Sequence, residues 1–136
     1  VESAKYRVMV ALAARGDESS VIEQAVIMAE KFNAELTAIH VHKPVLSQPK
    51  GSASIRVTDK IVRDMFSEYG NILDDLNIIV ARGDSISETI YNHLNDIDML
   101  VVGHKKMSDF RSSIIDSTDE GITNIMPCPV LVVQKD

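Results

Sequence analysis

The chain has 136 residues, 45% of them hydrophobic and 25% charged, with a formal net charge of -6; that suits one domain, spanning residues 1–136, with a real core. Excess acid argues against a nucleic-acid partner, because neutralising phosphates needs clustered Lys and Arg. The single cysteine, Cys128, excludes an intrachain disulfide and suits a reducing, cytoplasmic compartment, and no apolar run is long enough for direct membrane insertion. No signal-peptide pattern opens the sequence, and Val1 stands where a methionine would begin a whole protein, so a soluble domain of a larger protein is an open reading.

In chain order, the first apolar run is residues 8–12, Val-Met-Val-Ala-Leu. Ile22, Ala25, Val26 and Ala29 then recur at helical spacing behind Ser20 and Glu23, which have the spacing of a capping box. A second apolar run covers residues 36–41. Pro44, Pro49, Gly51 and several serines make residues 43–54 a surface loop. Val62, Met65, Phe66, Tyr69, Ile72, Leu73 and Leu76 form a long apolar stripe of helical type, followed by a third run at 78–81. Ser85 and Glu88 form a second box before Ile86, Ile90 and Leu94, and residues 99–102 form a fourth run. Ser117 and Glu120 form a third box before Ile122, Ile125 and Met126, and residues 130–133 form a fifth run.

Most of these runs are continuously apolar, as strands are when both faces are covered. The order β-α-β-α-β-α-β-α-β predicts an α/β fold: a three-layer, doubly wound, Rossmann-like parallel sheet of five strands with about four helices. Ligands of such sheets bind at the carboxyl ends of the strands, where the strand order reverses. That directs attention to residues 13–19 and 103–116.

Individual candidates mostly have structural readings. His40 and His42 lie two apart at the end of the second run and share a face, but no third ligand shows metal spacing, so half-buried strand-end histidines are expected and no metal. His104 reads as a polar residue of the loop after the fourth run. Cys128, between Pro127 and Pro129, reads as a small packed residue rather than a redox sensor. Ser112, Ser113, Ser117 and Thr118 read as caps before they read as phosphate acceptors. No Walker loop, dinucleotide glycine motif, zinc helix or Ser-His-Asp order is present, and nothing demands catalysis.

The carboxyl-terminal third resembles universal stress proteins. The resemblance is carried by Val101-Val102-Gly103-His104, then Asp116-Ser117, then Pro127-Cys128-Pro129 and the apolar Val130-Leu131-Val132-Val133, all at the family's spacing. Residues 7–12, residues 34–41 and Gly83-Asp84 are similar to that family's first strand, second strand and following turn. The resemblance implies strand order 3-2-1-4-5 and a nucleotide site formed here by Ala11, Leu12, Ala13, Val41, Gly103, His104, Lys105, Lys106, Ser117 and Thr118.

That site departs from the nucleotide-binding pattern. Ala13 stands in place of an aspartate, and Lys106 and Asp116 in place of glycines; only Gly103 and Ser117 match. Glycines in such a loop let amides close on phosphate, and a Cβ obstructs this. Asp116 would cap a helix where a phosphate would sit, while Lys105, Lys106 and Arg111 add positive charge to the same loop. The resemblance is therefore to the branch with a degraded glycine motif. It implies a non-enzymatic regulatory or signalling domain of the stress response, with no cofactor and with unidentified protein partners. The alternatives are a switch with an altered phosphate loop that binds ATP or AMP, with slow ATP hydrolysis, and a regulatory domain of a membrane transporter. A homodimer through Val130, Leu131, Val132 and Val133 is expected, because this strand lies at a sheet edge in the family order and carries no Lys, Pro or inward charge.

Overall fold

A computed structural model describes residues 5–14, 16–42, 57–104 and 127–135. Its strands are β1 (Arg7–Ala11), β2 (Glu35–His42), β3 (Asn77–Arg82), β4 (Met99–His104) and β5 (Val130–Gln134). All pair in parallel in the order β3-β2-β1-β4-β5, as expected. The described helices are α1 (Ser19–Lys31), α2 (Asp59–Asp64), α3 (Gly70–Leu73) and α4 (Ile86–Asn92), with a 3-10 turn at Ser67–Tyr69.

The sheet has two covered faces because side chains alternate along each strand. Val8 and Val10 of β1 and Leu36 and Ala38 of β2 meet Val21, Ile22, Ala25, Val26 and Ala29 of α1, together with Val62 and Phe66. The intervening Met9, Ile39 and Leu100 meet Ile90 and Leu94 on the other face. Because β1 is buried between two neighbours and two layers, its run has no room for a polar residue. At the rims burial falls: Val80 of β3 is 39% exposed and every apolar residue of β5 is half-buried.

Three local expectations are corrected. Ser20 and Glu23 do not cap α1. The helix starts at Ser19 with Glu18 at the N-cap position, and Glu18 makes no side-chain cap bond because its carboxylate turns back to the preceding loop. The stripe from Val62 to Leu76 is not one helix. It breaks into α2, the 3-10 turn and α3, as shown by the short bonds from Met65 N to Val62 O, Phe66 N to Arg63 O and Tyr69 N to Phe66 O. Those turns keep Phe66 and Leu76 in the core while each segment changes direction. Finally, Gly103 and His104 are not loop residues. They extend β4, pairing with Val133 and Gln134 of β5. The loop at 43–54 and the third box, Ser117 and Glu120, lie outside the described residues.

Candidate functional site

The strand order reverses between β1 and β4, and a cleft of about 690 Å³ opens at their carboxyl ends. Its walls include Ala11, Leu12 and Ala13 from β1 and the segment after it, Val41 from β2, Ile86 and Ile90 from α4, and Val102 and Gly103 from β4. The structure thus brings together Ala11, Leu12, Ala13, Val41 and Gly103 of the expected set. His104 ends β4 next to this group. Lys105, Lys106, Ser117 and Thr118, with Asp116 and Arg111, lie outside the described residues.

The polar groups of this cleft were not among the expected site residues. Leaving β1, the chain turns through Ala14 at φ 60° and Gly16 at φ 84°. A left-handed alanine costs on the order of 1 kcal/mol and persists where its surroundings fix it. What fixes it is Glu18. One carboxylate oxygen accepts from the Ala13 amide at 2.8 Å and the other from the Ala14 amide at 2.7 Å. Two adjacent amides closing on one anion make an anion nest, here filled by the chain's own side chain. Glu18 is only 2% exposed.

Lys135, the residue after β5, is the counter-charge. Its Nζ lies 3.5 Å from Asp17 Oδ1 and 3.7 Å from Glu18 Oε2, with its side chain 13% exposed. Its backbone amide donates to the His104 carbonyl, which continues the β4–β5 ladder by one bond. The Lys135 stem crosses directly over Gly103. A Cβ on Gly103 would come within 2.5 Å of Val21 Cγ2 and 2.9 Å of Lys135 Cε. In this chain Gly103 therefore has a structural use: it makes room for a lysine and a valine.

His40 is more buried than a half-exposed strand-end residue, at 7% exposure. Its Nδ1 donates to the Leu12 carbonyl at 2.9 Å, since a carbonyl can only accept. That bond ties β2 to the turn after β1 and, in the neutral ring, leaves Nε2 as an acceptor. His40 and His42 both line the cleft, and among the described residues no group of three candidate ligands is assembled for a metal ion.

Cys128 is partly buried against Met9 and Leu100 on the α4 face. Burial pushes its thiol above the ordinary value, a backbone hydrogen bond from Leu100 partly opposes this, and the Asp98 carboxylate adds to the rise. A thiol held protonated is a poor nucleophile.

A signal for Glu18 did exist in the sequence: two consecutive acids, Asp17 and Glu18, directly before an amphipathic helix. Position 13 holds alanine where the family pattern has aspartate, whereas the fold delivers a carboxylate to the Ala13 amide from five residues on. Lys135 carried no signal, because its role depends on its side chain crossing Gly103 to reach Asp17 and Glu18, more than a hundred residues away in sequence.

Comparison with known proteins matches this architecture. The universal stress protein family's sequence profile matches residues 6–134. Universal stress protein YxiE of Bacillus subtilis is 23% identical, over 94% of this chain and 98% of that protein. Among solved structures, a universal stress protein in complex with cAMP aligns with a TM-score of 0.62 and 17% identity, covering 96% of this chain and 98% of that one. An Arabidopsis thaliana universal stress protein family protein with AMP bound aligns with a TM-score of 0.61 and 14% identity, covering 96% and 92% respectively. Among the described residues no helix is long and apolar enough to cross a membrane. With a profile match over nearly its whole length and the family's fold, the chain belongs to the universal stress protein family.

Proposed function

We propose that this chain is a non-enzymatic regulatory domain of the stress response that works in the cytoplasm as a homodimer, and that it does not hold ATP tightly. The observation that carries this reading is the state of three described polar groups of the cleft, Glu18, Lys135 and His40, each of which is engaged within the chain. Glu18 is bonded to the Ala13 and Ala14 amides, Lys135 is paired with Asp17 and Glu18, and His40 is bonded to Leu12. Groups used in this way shape a cavity; a general acid or base needs a proton to give or take at a substrate. The altered positions Ala13, Lys106 and Asp116 point the same way, as does resemblance to the branch with a degraded glycine motif.

A second reading keeps the cleft as a nucleotide switch. Its support is the cleft's position at the reversal of strand order and the relatives whose structures contain cAMP or AMP. Calorimetry with Mg-ATP separates the two. The regulatory reading expects a dissociation constant well above micromolar and no phosphate release on prolonged incubation. Micromolar or tighter binding, or steady turnover, would overturn it.

A further inference from the structure

We propose that a second site, at the amino-terminal ends of the strands, binds a small zwitterion with an apolar tail, the chemistry of a free aliphatic α-amino acid. It lies at the opposite end of the sheet from the cleft. It goes beyond the regulatory reading by giving the domain an input that does not use the cleft.

Three polar or charged residues are buried among those described: Glu18, Thr37 and His40. Glu18 bonds the Ala13 and Ala14 amides, and His40 bonds the Leu12 carbonyl. The Thr37 hydroxyl, in a residue only 9% exposed, makes no hydrogen bond to any described residue. Its oxygen is not sealed off either, and Thr37 lines a pocket of about 300 Å³. Buried hydroxyls are nearly always hydrogen-bonded, so the partner of this one has to come from the pocket. A volume of this size lies at the small end of small-molecule sites.

The pocket exists because α4 is short. Seven helical residues rise about 10 Å, whereas the eight of β2 extend about 26 Å, so the helix leaves the amino ends of the strands incompletely covered. Side-chain alternation puts Arg7 and Met9 of β1, Glu35 and Thr37 of β2 and Ile79 of β3 on that same face. Met9 and Ile79, with Ile97 from the segment after α4, belong to the core of the α4 face and form an apolar floor.

Arg7 and Glu35 complete the lining with opposite charges. Arg7 Nε lies 3.3 Å from Glu35 Oε2, and the side chains are 46% and 37% exposed. The Asp98 carboxylate meets Arg7 through its backbone amide, at 2.9 Å. An exposed pair with one such contact is worth little, so a ligand can exchange it for its own carboxylate on Arg7 and its own ammonium on Glu35. A ligand with a single charge satisfies one of the two and strands the other, which selects for a zwitterion. Thr37 can donate to or accept from its head group, and the floor takes an aliphatic tail.

Calorimetry on the full chain tests this with L-leucine, its deaminated analogue 4-methylpentanoate, its decarboxylated analogue 3-methylbutylamine, and glycine. The wild-type protein is expected to bind L-leucine with a dissociation constant at or below about 1 mM, and each of the other three at least about tenfold more weakly. Thr37→Val is expected to weaken L-leucine about threefold to tenfold, the usual worth of one hydrogen bond, and to leave the Tm of the free protein unchanged or higher. Glu35→Gln, at an exposed position, is expected to weaken it at least about tenfold and serves if Thr37→Val does not fold. Saturating Mg-ATP should leave L-leucine affinity within about threefold, which keeps this site separate from the cleft. Absence of L-leucine binding at 10 mM, on the order of ten times the expected constant, overturns the proposal. So does equal binding of glycine or of either single-charge analogue. Binding that survives both substitutions, or that Mg-ATP abolishes, places the ligand elsewhere and overturns the site. The regulatory reading fails separately, by ATP turnover or tight ATP binding.

Discussion

At position 13 an alanine replaces an acid, yet a carboxylate is present there, because Glu18 reaches back across the turn. The sequence reads as lacking a carboxylate at this turn, and the reach of Glu18 was not legible, since side-chain reach over a left-handed turn is a three-dimensional property. Gly103 shows the converse. Its identity was legible as part of a glycine motif, while its use in this chain, admitting Lys135 and Val21, was not. Gly103→Ala is expected to lower stability by about 1–3 kcal/mol, the usual range for overpacking a filled site; thermal denaturation would show it as a lower Tm. Cys128 was read correctly as a packing residue, and its raised thiol pKa makes a chemical prediction. Below the ordinary thiol range both folded and unfolded forms are protonated, and above it the unfolded form ionises first. Alkylation of the native protein by iodoacetamide at neutral pH should therefore be slower than that of a free cysteine, and its rate should climb only at higher pH than for the free thiol. A native rate equal to that of the denatured chain would contradict this.

Among elements, the strands were the most legible, because a sheet covered on both faces needs uninterrupted apolar runs. Their ends were less so. β4 continues through Gly103 and His104 because β5 offers Val133 and Gln134 as partners, and pairing partners 30 residues away leave no mark on local composition. Helix starts divide in an instructive way. Ser85 caps α4 as read, accepting from the Glu88 amide at 3.3 Å, while its carbonyl accepts from the Thr89 hydroxyl at 2.7 Å. Ser20 does not have the equivalent role, because the helix begins two residues earlier than the box implies, at Ser19, with Glu18 at the N-cap position and no side-chain cap bond. Removing the hydroxyl with Ser85→Ala should cost about 1 kcal/mol of stability by urea denaturation, whereas the capping-box reading of Ser20 no longer predicts a comparable loss there. The stripe from Val62 to Leu76 misled for a physical reason. Periodicity reports which residues face the core, and successive short turns can keep one face inward as well as a continuous helix does.

For the whole molecule, the order β3-β2-β1-β4-β5 leaves β3 and β5 as the two edges. β5 carries four apolar residues, all half-buried in the single chain. An edge of that kind favours pairing with another copy. Light scattering should report twice the 15.0 kDa chain mass at tens of micromolar protein, and Val132→Lys should return it to 15.0 kDa. A wild-type mass that stays at 15.0 kDa would rule the dimer out. The sheet order also has a kinetic side. β1 is made first but lies in the middle, bonded to β2 some thirty residues on and to β4 beyond ninety, where Arg7's amide meets the Asp98 carboxylate at 2.9 Å. Contacts that span so much chain cost loop-closure entropy before they return any stability, so refolding should be slow for this size, in the millisecond-to-second range. β1 and β2 can pair before β4 arrives, and once β4 has docked neither can open without undoing the core on both faces. In hydrogen–deuterium exchange their amides should accordingly be the last to exchange, at the rate of global unfolding, while those of β3 and α3 exchange earlier through local opening.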